Sequence, residues 1–480
     1  MHSVASALER LGELAASPTV SRLSAAFAGS GHELALVGGP VRDAFLNRAT
    51  HDLDFTTDAS PDRILELVKP LADAHWDIGR AFGTIGAVIA GETVEITTYR
   101  ADSYDGATRK PDVVFGTSLE DDLMRRDFTV NALALRLPAV TLVDPSGGID
   151  DLLTGVLRTP STPEVSFGDD PLRMLRGARF TAQLGFVLDA ATATAMGQMR
   201  ESIGIISAER VGDELGKLLR ADNPRPGIEV LMESGLAQIV LPEIPALRLE
   251  IDEHHHHKDV YQHTLTVLDQ AIGYEKSRGT LGGPGREPDL VVRLAALLHD
   301  IGKPATRRLE PGGVVSFYHH DVVGAKLAKK RLRALRFDND TINAVALLIE
   351  LHLRFFGYTE GAWSDSAVRR YVRDAGDQLE RLHILTRADV TTRNRRKADR
   401  LGFAYDDLEQ RIAELAQKEQ LDSLRPDLDG TQIMAVLGAA PGPEVGEAYR
   451  YLLEQRLDDG PLGEAEATRR LRRWWAARSA

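Results

Sequence analysis

Leu36-Val37-Gly38-Gly39-Pro40-Val41-Arg42-Asp43, followed shortly by His51-Asp52-Leu53-Asp54-Phe55-Thr56, decides how the rest of the chain is read. Glu33 to Val37 reads as one strand and Leu53 to Thr56 as another. Residues two apart on a strand face the same way, so Asp52 and Asp54 share a face. Two carboxylates held side by side repel unless a cation lies between them, and a divalent metal ion is the usual solution. Gly38-Gly39 lets the backbone approach a ligand closely and offers amides to phosphate oxygens. Arg42 adds a planar fork of donors suited to the same oxygens. An Asp-x-Asp by itself is as readily a surface turn. Joined to a glycine pair and an arginine, it reads as a metal- and phosphate-binding stretch.

Around this stretch the pattern alternates. Residues 1–30 read as a helical lead-in stopped at Ser30-Gly31, Val41 to Leu46 as a helix, and Pro61 to Leu71 as a helix capped by Ser60. Thr84 to Ile89 and Thr93 to Thr98 form a strand pair turning at Gly91-Glu92. Val94 and Ile96 take the buried side of the second strand, which leaves Glu95 as a candidate third carboxylate. Arg125-Arg126-Asp127-Phe128-Thr129-Val130-Asn131-Ala132 is a second polar stretch, and Asp144 to Asp151 has a hinge-like content of glycine and proline. From about residue 156 the pattern is helical. In Asp169-Asp170-Pro171-Leu172-Arg173-Met174-Leu175-Arg176-Gly177-Ala178-Arg179-Phe180, Pro171 fits the first helical position with Asp170 as cap. Arg173, Arg176 and Arg179 then drift slowly around one face, which taken alone also describes a basic flank over a core of Leu172, Leu175 and Phe180.

These three stretches together resemble the signature of bacterial class II tRNA nucleotidyltransferases and poly(A) polymerases, the CCA-adding enzymes of the DNA polymerase beta-like superfamily. The resemblance implies that Asp52 and Asp54 hold Mg²⁺, that Arg126 contacts the nucleotide, and that Asp127 and Asn131 shape a ribose pocket. It implies that Asp170 and Arg173 read the incoming base, with Arg176 and Arg179 assisting, although Asp169 stands where the family usually has Glu. Cytosine and adenine each offer an amine donor beside a ring-nitrogen acceptor, which one carboxylate and one guanidinium can satisfy; guanine and uracil cannot pair so. Ser207 to Leu215 and Leu241-Pro242-Glu243 continue the resemblance to about residue 250. The function implied is addition of the 3′-terminal CCA of tRNA from CTP and ATP without a nucleic-acid template. A poly(A)-adding or partial CC- or A-adding activity carries the same motifs.

The later half has its own chemistry. His263 falls in a helical pattern from Val260 to Ile272, His299-Asp300 ends the apolar run Val291 to Leu298, and His319-His320, His352 and Asp389 follow. Any one of these is ordinarily a satisfied core residue. As a set they resemble HD-domain phosphohydrolases, with His263, His299, Asp300 and Asp389 as metal ligands and His319 or His320, and His352, nearby. Such donors suit Mn²⁺, Ni²⁺, Fe²⁺ or Zn²⁺. A metal-dependent phosphohydrolase is the rival reading for the chain as a whole.

The composition fits these readings. The chain has 480 residues, 43% of them apolar, and no cysteine, so disulfides and thiolate zinc sites are excluded. No run spans a bilayer and no secretory leader is evident, so a cytoplasmic protein with no membrane partner is expected. The net charge of −13 hides local basic stretches at Lys326 to Arg336, Arg393 to Arg400 and Arg469 to Trp475. The expected class is α+β: a lead-in (1–30), a small mixed-sheet catalytic head (31–155), a helical neck for base recognition and RNA binding (156–250), an HD region (251–400), and a helical tail (401–480) that is a tRNA-binding candidate.

Overall fold

The computed structural model describes residues 4–49, 52–100, 115–116, 118–248, 259–278, 287–311, 315–361, 363–392, 394–419 and 425–478. The histidine run 254–257 lies outside them. The chain forms two compact units, Met1–Pro245 and Ala246–Ala480.

The first unit is built on one mixed sheet. In chain order its strands are β1 (Leu34–Val37), β2 (Leu53–Thr57), β3 (Ala74–Trp76), β4 (Thr84–Ile89), β5 (Glu92–Thr98), β6 (Ala134–Leu137) and β7 (Thr141–Val143). Their order across the sheet is β3-β4-β5-β2-β1-β6-β7. Only β2 and β5 run parallel; the other neighbours are antiparallel. Every residue of β1 is buried because both faces of the sheet are covered. Leu34 and Leu36 join the larger core with Phe55, Ile85 and Ile96. Ala35 and Val37 face a thinner layer with Tyr99, Leu119 and Leu123.

The helices Val4–Ala15 and Pro18–Gly29 place Leu11, Leu23 and Phe27 in that larger core, all with no exposed surface. Each such side chain contributes about 1.5–3 kcal/mol, so the lead-in is part of the head's own core. Ser60 caps the next helix as expected, its hydroxyl accepting from the Arg63 N–H. That helix ends at Val68 and not Leu71, since Pro70 has no N–H to continue the helical hydrogen-bond ladder. The short strands β3, β6 and β7 and the helix Pro163–Asp169 were not anticipated. The stretch 144–151 is a tied helix start, the Asp144 carboxylate accepting from the N–H groups of Gly148 (2.8 Å) and Ile149 (3.0 Å).

The second unit is helical apart from a two-strand ribbon, Arg308–Leu309 with Val315–Ser316, among the described residues. Val260–Arg278 packs against Leu290–Leu298 and Leu379–Ala388, and His320–Ala334 packs against Asn339–Leu351. The helices Gly430–Leu437, Pro443–Asp459 and Glu464–Arg478 close over a small core of Leu428, Ile433, Leu452 and Leu471. Part of the basic, tryptophan-bearing end is spent on internal packing: Trp474 stacks on Tyr451 at 4.9 Å with Arg478 over its ring. No described helix is long and apolar enough to cross a membrane.

Arg293 and Glu275 form a fully buried pair, Nε to Oε2 at 2.9 Å, and Glu275 also accepts from the Asp289 N–H at 2.8 Å. Removing one partner strands the other charge in the core, at a cost of about 3–5 kcal/mol. Glu275→Ala should therefore lower the unfolding free energy of the second unit in a urea titration by that amount; an unchanged midpoint contradicts this account of the pair.

Candidate functional site

The strand register builds the first site. β2 and β5 pair with Leu53 beside Val94, Asp54 beside Glu95 and Phe55 beside Ile96. Leu53, Phe55, Val94 and Ile96 are all in the core, so Asp54 and Glu95 stand together on the opposite face. Asp52 lies just before the strand and is exposed, as is Glu95, while Asp54 is partly buried. Burial raises the Asp54 pKa, Glu95 and Asp52 push it the same way, and Arg126 and Arg42 oppose them. A carboxylate so placed is short of positive charge, and the trio suits a divalent cation. The carboxylates are not drawn into a closed cage: the described trios with ligand atoms all within 4.8 Å lie in the second unit.

Asp54 lines a cavity of about 500 Å³ with Gly38, Gly39, Arg42, Arg126, Asp127, Asn131, Asp170, Arg173, Arg176 and Arg179. Asp52 and Glu95 lie outside that lining. Gly38 has φ +70° and ψ −120°, and a Cβ there would come 3.2 Å from Arg126 Nη1, so glycine is required. Buried Asp127 organises the wall. Its Oδ1 accepts from the Phe128 N–H (2.8 Å) and the Asn131 amide (3.0 Å), and its Oδ2 pairs with Arg176 at 2.6 Å. Burial works to raise its pKa, but Arg176, Asn131, Arg173 and the Phe128 N–H outweigh that and hold it at about 2. Asn131 passes the order on, its Oδ1 accepting from Arg42 Nη1 at 2.7 Å.

The helix Leu172–Leu184 supplies the facing wall. Asp170 sits two residues before it, one step outside the expected cap position, yet its Oδ1 still accepts from the Leu172 N–H at 3.1 Å. Its Oδ2 accepts from Arg210 Nη2 at 2.8 Å. Arg173 Nη1 donates to the carbonyl and hydroxyl of Ser166 (3.2 and 2.9 Å), and Nη2 to the Arg125 carbonyl at 2.5 Å. Arg179 donates to Glu214 at 2.6 Å and Gln183 at 2.8 Å. The expected residues are thus assembled with partners that sequence reasoning did not find. Asp122 accepts from Thr56, Arg126 and the Arg100 N–H. Phe180, expected only as core, lies under the guanidiniums of Arg179 (4.1 Å), Arg42 (5.6 Å) and Arg176 (5.8 Å). Only pairing across elements shows these roles.

A second cluster forms in the other unit. His263 Nε2 lies 3.0 Å from Asp389 Oδ1 and 3.5 Å from Asp300 Oδ2, and His299 Nε2 lies 3.2 Å from Asp300 Oδ2. His320 Nε2 lies 3.4 Å from the other oxygen of Asp300. His319 is exposed at φ +62°, so His320 is the inward member of that pair. The Nδ1 atoms of His299, His320 and His352 sit 2.9, 2.8 and 2.6 Å from the carbonyls of Ala296, Phe317 and Ile349. That of His263 sits 2.9 Å from Thr391 Oγ1. A proton on Nδ1 leaves each Nε2 lone pair inward, the tautomer a metal ligand needs. Buried Nε2 atoms of His320 and His352 have no hydrogen-bond partner. The donors fall into two trios, His263, His299, Asp389 and Asp300, His320, His352, and so fit a metal. Lys303 Nζ lies 2.6 Å from Asp300 Oδ2.

Three protein-family models match parts of the chain. Residues 34–158 match the poly(A) polymerase head domain, 185–247 the probable RNA- and SrmB-binding site of polymerase A, and 260–394 the HD domain. An A-adding tRNA nucleotidyltransferase of Deinococcus radiodurans is 34% identical over 451 residues, spanning 92% of this chain and 95% of that one. A CC-adding tRNA nucleotidyltransferase of Thermus thermophilus is 32% identical, spanning 92% and 93%. The crystal structure of the Bacillus stearothermophilus CCA-adding enzyme in complex with CTP shares the fold with a TM-score of 0.68 at 23% identity, covering 96% of this chain and 99% of that one.

The raised Asp54 pKa has a consequence for stability. Ionised Asp54 costs the metal-free fold free energy at neutral pH, and the cost vanishes as pH falls toward the ordinary carboxylate value of 3.8. Metal-free Asp54→Asn should melt at or above the wild-type temperature at neutral pH, with the gap closing in acid. Scanning calorimetry in chelator across pH reads this, and a variant melting well below wild type at neutral pH contradicts it.

Proposed function

The chain belongs to the poly(A) polymerase and tRNA nucleotidyltransferase family, and from that premise we propose that it is a CCA tRNA nucleotidyltransferase using CTP and ATP. The observation that carries this reading is the single cavity wall that joins the β2 carboxylate Asp54 to the Asp170–Arg173 pair. In this proposal Asp52 and Asp54, with Glu95, hold Mg²⁺, which when bound supplies the charge that steadies the triphosphate and activates the attacking 3′-hydroxyl. Arg42, Arg126, Arg176 and Arg179 bind phosphate oxygens beside the Gly38-Gly39 backbone. Asp127 and Asn131 shape the ribose pocket.

Base choice falls to Asp170 and Arg173. Arg173 has five N–H groups and uses three of them on Ser166 and Arg125. The three bonds fix the plane of the guanidinium, and two donors remain. Each Asp170 oxygen accepts one bond and keeps a lone pair. A rigid donor beside a rigid acceptor accepts C or A and leaves buried groups unpaired against U or G. The proposed division of labour follows the expected segments: lead-in 1–30, head 31–155, neck 156–250, HD region 251–400 and a tRNA-facing tail 401–480, in the cytoplasm.

The test is incubation with tRNA lacking its CCA, Mg²⁺ and each nucleoside triphosphate separately, with product sequencing. CTP then ATP addition is expected; addition of C alone or A alone makes it a partial enzyme like its relatives, and long A tails a poly(A) polymerase. Asp52→Asn or Asp54→Asn should abolish addition. Asp170→Ala should slow addition and raise relative use of UTP and GTP; slowing without relaxed choice reduces Asp170 to a helix cap.

The histidine–aspartate cluster supports a second, metal-dependent phosphohydrolase activity, because its orphaned Nε2 atoms need a metal or a proton. Mn²⁺, Ni²⁺, Fe²⁺ or Zn²⁺ suits these donors better than Mg²⁺ alone. Asp300→Ala should lose bound transition metal and any phosphodiesterase activity while CCA addition continues; unchanged metal content removes Asp300 from the site.

A further inference from the structure

We infer that the outward face of the His320–Ala334 helix, made by Lys326, Lys329, Lys330 and Arg333, docks the phosphate backbone of the RNA substrate. The inference rests on reading the chain as an RNA-acting enzyme. The four residues stand at i, i+3, i+4 and i+7 and so share one face, and all four are exposed. Gly324, Ala325, Ala328 and Leu332 take the buried side. At 100° per residue the basic face lies opposite the buried stripe that begins with His320, so it points away from the metal cluster.

A solvated basic face would be the ordinary explanation, and the surroundings argue against it. Among the described residues, none of the four is ion-paired, although the chain holds 71 acidic against 58 basic residues. By contrast, all five arginines of the Asp365–Ala375 and Leu379–Ala388 helices are bound to carboxylates, as Arg369 is to Glu419 at 2.8 Å. Like charges at these spacings repel and weaken a helix. Only Arg333 lies in the last turn, where the helix dipole favours a cation. The lysines have no carboxylate partner among the described residues, and an external anion supplies the charge they lack.

The chemistry of the face selects a polyphosphate over a protein. No large apolar side chain is exposed on this helix, so it lacks the anchor on which protein interfaces are built. Lys326 to Arg333 spans roughly 10 Å of axis, room for about three phosphates of one strand. Lysines meet phosphates as mobile point charges without demanding one geometry.

The experiment is filter binding of tRNA lacking its CCA to the full chain across a salt series. Replacing the four cations together (Lys326→Ala, Lys329→Ala, Lys330→Ala, Arg333→Ala) should reduce the slope of log affinity against log salt by about 3 and weaken low-salt binding at least about tenfold. The KM for CTP at saturating tRNA should not change, since the residues lining the nucleotide cavity lie between Gly38 and Gln183. Should the quadruple variant melt early, Lys329→Gln with Lys330→Gln serves, with an expected reduction of about 2. Wild-type slope and affinity in a variant that melts normally overturn the inference and hand the face to solvent or to an acidic protein. Salt-dependent tRNA binding without any nucleotide addition would overturn the functional reading and leave the surface standing.

Discussion

The arginine-lined cavity of the first unit depends on one buried carboxylate. Asp127 binds the N–H that follows it, the Asn131 amide four residues on and the Arg176 guanidinium on a distant helix. It thereby locks the short turn before β6 to the arginine-bearing wall. A charge at this depth is tolerable only because all three partners are present, and two of them, Asn131 and Arg176, themselves line the cavity. The order runs outward from there: Asn131 fixes Arg42, and Arg42 shares the Phe180 ring with Arg176 and Arg179.

The same economy appears across the sheet. β2 carries core residues on one face and Asp54 on the other, and β5 repeats the pattern one strand away with Glu95. Burial of the apolar set thus decides where the acids stand, since a slip of one residue in either strand would turn its carboxylate toward the core. The placing of these acids is a by-product of packing, and its cost to the fold is the raised pKa of Asp54.

The two units treat charge differently. In the first, arginines crowd a cavity and are oriented by backbone carbonyls and buried acids. In the second, six imidazole and carboxylate side chains converge with every histidine Nδ1 held by a protein oxygen. Each arrangement prepares ligands before a ligand arrives, so less ordering is left for the moment of binding.

The sequence by itself determined the chemistry-bearing stretches and the elements that carry them. Gly38-Gly39, Arg42, Asp52 and Asp54 could be read from strand period and turn chemistry, whereas the Arg126 to Asn131 stretch, Asp170 and Arg173, and the histidine–aspartate set stood out through their resemblance to known families. The strands β3, β6 and β7 escaped notice because segments of three or four residues carry too little periodicity to separate strand from loop. Tertiary structure alone decided that Asp54 would pair in register with Glu95 and that Asp170 would be held by Arg210. It also decided that Phe180 would lie under three guanidiniums, and that His320 and not His319 would face inward. Contacts between residues tens of positions apart are set by register and packing, and no local pattern encodes them.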